Sequence, residues 1–198
     1  MIGASGHGKV CSDIAEQSGY KNIEFLDDDK QVTSCGKYSV VGKVDNYKDY
    51  IDGCDFFISI GNTCTRAAFS QMIVNAGGNL VTLIHPNAVI SQDVRIGLGT
   101  VVMAGTVINA NAEIGAGCII NTCSSIDHDC CINDYVHVSV GSHICGTSSI
   151  GKNTWVGAGA IISNNIDVCE GCMIGAGAVV VKNISTAGTY VGVPAHIV

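Results

Sequence analysis

The chain has 198 residues, 47% of them hydrophobic and 14% charged, a balance that suits a packed core and excludes a disordered tail. Ten Lys and Arg against 17 Asp and Glu leave a net charge of -7 with no basic run to track a phosphate backbone, which argues against a nucleic-acid partner. No apolar stretch approaches the roughly 20 residues that cross a bilayer, and the start MIGASGHGK lacks the apolar segment of an export signal, so a soluble, cytoplasmic protein without a membrane partner is expected.

Twenty-five Gly against two Pro exclude collagen and proline-rich linkers and call for something repetitive. Residues 1–80 hold seven basic and ten acidic residues, whereas the longer remainder holds three and seven, so the chain changes character between Asn79 and His85. Two domains follow, 1–80 and 81–198. In the first, a glycine-rich turn at Gly3 to Gly8 leads into a predicted helix over Lys9 to Gln17, and strands are predicted at Ile23 to Leu26 and Phe56 to Ile60. A helix from Thr65 to Asn75 follows. This alternation predicts a small parallel α/β unit of Rossmann-like type, with ligands beyond the C-terminal strand ends. Only Met1 and Ile2 precede the glycine turn, which implies a very short first strand or a recorded start inside the reading frame.

The second domain obeys a period of six. From Ile84 through Ile90, Ile96 and Val102 to Ile174 and Val180, every sixth residue is Ile or Val. Segments such as IGLGTV and IGAGCI place small residues around those positions, where the chain must turn tightly. The solid implied is a triangular prism of parallel strands with three hexapeptides per coil, β-branched residues inside and residues one coil apart stacked in ladders. The register never slips, so no arm leaves the prism to cover a ligand.

Tandem hexapeptides with Ile or Val first and Gly second resemble the left-handed parallel β-helix acyltransferases. Left-handed crossover departs from the usual right-handed rule and rests on that resemblance alone. GASGHGK joined to such a prism, with VGVPA at residues 191–195, is similar to the bacterial sugar acetyltransferases of the NeuD and PglD type across essentially the whole chain. The resemblance implies a UDP-linked amino sugar bound by the first domain, acetyl-coenzyme A between neighbouring prisms, and a homotrimer.

The segment at 121–141 breaks the apolar repeat with Asp127, His128, Asp129 and His137. Amide formation from an amine and a thioester needs a proton acceptor, which a neutral imidazole supplies near neutral pH. The resemblance assigns His128 as that base, Asp129 as the carboxylate orienting it, Asp127 as the preceding acidic residue, and His137 as a group placing donor or acceptor. His143 carries a lesser claim. Gly146, one coil after His128, is expected to stack beneath it and offer a backbone N–H to the developing oxyanion. Backbone groups at Gly157, Ala158, Gly175 and Ala176 are expected to line the pantetheine arm.

In the first domain Ser5, Gly6, His7 and Gly8 form a loop and helix start suited to a pyrophosphate. The glycines at 3, 6 and 8 lack the GxGxxG spacing of a nicotinamide site. Asp27, with the adjacent Asp28, resembles the family's uracil or ribose contact, and Gly61, Asn62 and Arg66 match a stretch that lines the nucleotide-sugar site or fixes its loop. The 11 Cys are odd in number and follow no staple pattern, so free thiols are expected. Cys169 and Cys172 form a single CxxC with no second pair to complete a zinc set, and Cys130 beside His128 is a nucleophile on paper only. No metal is expected. The function expected is N-acetylation of the 4-amino group of a UDP-linked 4-amino-4,6-dideoxy sugar, with O-acetylation of a sialic acid or other sugar hydroxyl, or a non-catalytic sugar-nucleotide-binding solenoid, as the alternatives.

Overall fold

The computed structural model describes residues 1–198 and divides into two compact units, Met1–Pro86 and Asn87–Val198.

The first unit is built on a short parallel sheet. Ile2 bridges Leu26 on one side and Ile58 on the other, both in parallel, with Ile2 N donating to Phe57 O and Ser59 N to Ile2 O at 2.9 and 2.8 Å. The first strand is therefore reduced to little more than Ile2. Strand β1 (Phe25–Leu26) pairs in parallel with β3 (Tyr38–Gly42), which also pairs antiparallel with β2 (Ser34–Cys35), while β4 (Asp55–Phe56) pairs in parallel with β5 (Asn79–Leu80). Helix α1 (Gly6–Gln17) begins three residues before the predicted start, and α2 (Thr63–Asn75) two residues before. Ile2, Leu26, Phe56, Ile58, Ile73 and Leu80 close one side of the core, together with Val44 and Tyr47 from a 3-10 helix at Val44–Tyr50.

The second unit is a left-handed parallel β-helix of two-residue strands. One ladder runs from Val89–Ile90 through Ser125–Ile126 and His143–Ile144 to Val179–Val180, and a second from Arg95–Ile96 through Cys131–Ile132 to Asp167–Val168. The third runs from Val101–Val102 through His137–Val138, Trp155–Val156 and Met173–Ile174 to Thr189–Val191, and is closed by an antiparallel strand at His196–Ile197. Partners are 18 residues apart, as in Val107 with Ser125 and Ser125 with His143.

The period of six is the core. From Val102 to Val180 each sixth residue is no more than 4% exposed. The beginning of the run differs: Ile84 belongs to the first unit and is 39% exposed, while Ile90 and Ile96 are half-buried because each has a stacking partner on only one side. A second buried column lies two residues before each Ile or Val. There Thr100, Thr106, Ser124, Ser148 and Thr154 donate their hydroxyls to main-chain carbonyls, so small polar side chains are buried without loss of hydrogen bonding.

Candidate active site

His128 stands on the turn between Ser125–Ile126 of the first ladder and Cys131–Ile132 of the second, with its side chain exposed. Its Nδ1 lies 2.8 Å from Asp129 Oδ2, the geometry in which Nδ1–H donates to the carboxylate and Nε2 is left as proton acceptor. Both neighbouring carboxylates are tied in place. Asp127 Oδ1 accepts from the His128 backbone N–H at 2.8 Å and from Asn109 Nδ2 at 2.9 Å, and Asp129 Oδ1 accepts from Asn111 Nδ2 at 3.1 Å. The hydrogen bond to Asp129, followed by the charge of Asp127, raises the His128 pKa above its ordinary value. The same contacts lower the carboxylates, Asp129 chiefly through His128 and then Asn111, Asp127 chiefly through Asn109.

Asp129 also has a conformational reason for its place. Its φ of 58° is in the left-handed region, as are those of Asn111 and Asn165 in the same column, and Asp and Asn tolerate this better than other side chains. An Asp on this turn is thus a good structural choice as well as an imidazole partner.

Gly146 is buried one coil beyond His128. A Cβ added there would lie 2.7 Å from both Cε1 and Nε2 of the imidazole, so the ring rests on a surface that only glycine leaves open. The Gly146 N–H donates to no group within the chain.

The remaining residues expected on this unit fall in separate places. His137 is on the third ladder, 8% exposed, stacked on Trp155 with ring centroids 4.6 Å apart, and its Nε2 is 3.3 Å from Asn121 Nδ2. Trp155 Nε1 donates to Ser139 Oγ at 2.7 Å. His128 and His137 therefore occupy different parts of the prism. His143 Nδ1 is 2.8 Å from Ser125 Oγ on the first ladder. Ala158 and Ala176 are exposed turn residues, while Gly157 and Gly175 are packed against the next coil: a Cβ at Gly157 would meet Ile174 O at 2.6 Å, and one at Gly175 the Val191 side chain at 2.8 Å. Cys130 is 1% exposed, its Sγ lies 3.3 Å from Cys145 O, and burial raises its thiol pKa, so it is a core thiol.

In the first unit the glycine loop is held shut from within. Asp27 Oδ2 accepts from Ala4 N at 2.7 Å and its Oδ1 from Asp29 N at 2.9 Å, while Asp28 Oδ1 accepts from Val44 N at 3.0 Å. Ser5 is the N-cap of α1 and makes no side-chain capping bond, leaving an exposed hydroxyl beside the first N–H groups of Gly6, His7 and Gly8. Gly8 is required by packing, since a Cβ would lie 2.5 Å from Gly3 O. His7 contacts Cys11 Sγ at 3.5 Å, and burial together with the charge of Arg66 lowers its pKa to about 4. Arg66 is 1% exposed and its Nη1 donates to Ile60 O and Gly61 O at 3.0 and 2.8 Å, while Asn62 caps α2 by accepting from Thr65 N at 3.0 Å. Arg66 thus holds the Ile60 to Asn62 turn from behind.

Asn109, Asn111 and Trp155 were not singled out by sequence reasoning. The first two were discoverable, because each sits 18 residues before one of the aspartates flanking His128. No group of three or more His, Cys, Asp or Glu is arranged to hold a metal ion, and no helix is long and apolar enough to cross a membrane.

Two family models match the chain: the PglD N-terminal domain over residues 1–73 and the bacterial transferase hexapeptide of six repeats over residues 147–182. The chain is 36% identical to the acetyltransferase domain of PglB from Neisseria gonorrhoeae, solved in complex with acetyl coenzyme A, with a TM-score of 0.95 over 100% of this chain and 97% of that one. It is 34% identical to PerB from Caulobacter crescentus, solved with CoA and GDP-perosamine, with a TM-score of 0.94 over 100% and 95% of the two chains. A UDP-N-acetylbacillosamine N-acetyltransferase of Bacillus subtilis is 35% identical over 108 residues, 52% of this chain, so that the match spans half the length of that curated relative.

Proposed function

The chain belongs to the PglD-type hexapeptide-repeat sugar acetyltransferases, and from that premise we propose that it transfers the acetyl group of acetyl-coenzyme A to the 4-amino group of a UDP-linked 4-amino-4,6-dideoxy sugar. The observation carrying this reading is the His128–Asp129 pair at 2.8 Å with Gly146 directly against the ring. The amine nitrogen attacks the thioester carbon, His128 Nε2 takes the proton that nitrogen sheds, and the carbonyl oxygen, now negative, is met by the Gly146 N–H. Collapse of the intermediate expels the thiolate of coenzyme A and leaves the amide. Asp129 stabilises the imidazolium formed on the way, and Asp127 holds the His128 backbone.

In this reading the helix start at Ser5 to Gly8 takes the pyrophosphate, and Asp27 and Asp28 set the loop against which the base and ribose lie. Arg66 and Asn62 shape the turn at Gly61. His137 is on a different ladder from His128, so a joint role requires two copies of the chain, with His137 of one facing His128 of the next; a homotrimer supplies three such edges. Ala158 and Ala176 then border the pantetheine groove, and Gly157 and Gly175 keep it narrow. A cytoplasmic location goes with both nucleotide-linked substrates.

Mass spectrometry of acetyl transfer to UDP- and GDP-linked 4-amino sugars, a UDP-linked 3-amino sugar and a sialic acid tests the assignment. Product confined to the UDP-linked 4-amino sugar and lost in His128→Ala supports it. Transfer to sialic acid alone, or to nothing in the panel, overturns it. PerB was solved with a GDP-linked amino sugar, which is why the guanine nucleotide belongs in the panel.

A further inference from the structure

The cysteines of the prism are not equivalent. Cys118, Cys130 and Cys172 occupy the same buried column as Thr100, Ser148 and Thr154. Ser148 and Thr154 donate to carbonyls 15 residues further on, those of Ser163 and Cys169, at 2.9 and 3.1 Å. Cys118 and Cys130 do the same, with Sγ 3.1 Å from Asn133 O and 3.3 Å from Cys145 O. In these places cysteine substitutes for a small hydroxyl residue.

Cys172 departs from the column. Its Sγ lies 3.5 Å from Cys169 Sγ, whereas the carbonyls that can accept from it, of Thr186 and Glu170, stand at 3.9 and 4.0 Å. The last coil explains the difference. Met173 pairs with Thr189, 16 residues on instead of the 18 of the other coils, so the chain arrives early and the carbonyl that would face this thiol is displaced. Cys169 is on the turn that follows Asp167–Val168 and is half-buried, while Cys172 is 2% exposed.

We propose that Cys169 and Cys172 form a reversible dithiol–disulfide site at the C-terminal end of the prism. The Cys169 thiolate attacks one sulfur of a small-molecule disulfide, forming a mixed disulfide and releasing one thiol. Cys172 then gives its proton to solvent, attacks Cys169 Sγ and expels the second thiol, so that two protein thiols are oxidised as one disulfide is reduced. An S–S bond of about 2.05 Å requires the sulfurs to close by about 1.5 Å from their present separation. Burial and the neighbouring thiol hold Cys172 up to about 11, which makes the more accessible Cys169 the attacking group and Cys172 the resolving one. The pair lies on the turn between the second and third ladders, whereas His128 is on the turn between the first and second. The reaction is therefore read on the thiols themselves.

The full chain is incubated with oxidised glutathione, quenched in acid, denatured, alkylated with iodoacetamide and mapped by mass spectrometry. The expected result is a peptide containing both positions, lighter by two hydrogens than the dithiol form and closed to alkylation, that regains both alkyl groups after dithiothreitol. Cys169→Ser removes the cross-link and leaves Cys172 fully alkylated, with circular dichroism confirming that the prism persists. Full alkylation of both positions in the oxidised wild-type protein overturns the proposal. So does a stable glutathione adduct on Cys169 that Cys172 never resolves, or a bond from either thiol to another cysteine; the wild-type map decides even if a variant fails to fold.

Discussion

Asn111 and Asp129, one coil apart, are joined by a 3.1 Å hydrogen bond that occupies Asp129 Oδ1 and leaves Oδ2 to the imidazole of His128. The carboxylate is thus clamped between an amide below and a ring beside it, and the orientation of the His128 imidazole depends on a residue that does not touch it.

The first consequence concerns pH. In the proposed reaction His128 must be neutral to accept a proton, and its pKa is raised chiefly by Asp129, so kcat/KM is expected to rise with pH through a midpoint above the ordinary histidine value. Asp129→Asn is expected to move that limb to lower pH and to reduce the plateau. Asn111→Ala is expected to lower the plateau less, because the carboxylate stays but loses its anchor. A pH–rate profile from coenzyme A release reads all three, and an unmoved acid limb in Asp129→Asn removes Asp129 from the relay.

Replacing the proposed base should separate chemistry from folding. The His128 ring is exposed, so His128→Ala is expected to leave the far-ultraviolet dichroism and melting temperature near those of the parent. Turnover is expected to fall by about 10²–10⁴-fold, the usual contribution of a positioned general base.

Two glycines should fail differently. Gly146→Ala would set a methyl 2.7 Å from the imidazole, pushing aside a side chain and no main-chain atom, and is expected to lower turnover on the order of 10²-fold with the fold retained. Gly157→Ala would press on Ile174 O and Ala176 N, main-chain atoms of the next coil, and is expected to cost about 1–3 kcal/mol of stability. Denaturant titration and steady-state rates on both variants check the contrast.

His7 gives the first unit an acid weakness. Its folded pKa of about 4 lies below the ordinary 6.5, so between those values the unfolded chain binds a proton that the folded chain refuses. Stability is full above pH 6.5 and declines as pH falls toward 4, by up to about 3 kcal/mol from this group. His7→Gln is expected to flatten that part of the denaturation midpoint curve, and an unchanged slope would contradict the assignment.

The prism was legible because one constraint recurs at each hexapeptide: the interior admits a β-branched residue at the same phase of every face, and the sequence repeats it without a break. The column of small residues two positions earlier was less visible, since Ser, Thr, Ala and Cys meet the same demand for size and differ only in whether they donate. The first unit was harder to read. Gly6 to Gly8 have poor helix propensity, yet they begin α1 because the packing of Gly8 against Gly3 O outweighs it. Strands β2 and β3 went unpredicted because β2 has only two residues and the run Val40, Val41, Gly42 hides the alternating burial that β3 shows once folded. At the site, His128 and its acidic neighbours stand out from a bland repeat, but Asn109 and Asn111 become meaningful only when the sequence is folded into turns of 18.

That 18-residue pitch divides what the prism can lose without harm from what the site can. Removing six residues between His128 and Gly146 would still bring an Ile or Val to every inward position, and the interior would scarcely register the change. Every later side chain would nevertheless pass to the neighbouring face, and Lys152 would arrive where Gly146 now supports the imidazole. Excision of a whole coil downstream of Gly146 keeps that pair together. Chain length along this solenoid is thus graded in two units, hexapeptides for folding and triplets of hexapeptides for the pairing of His128 with Gly146.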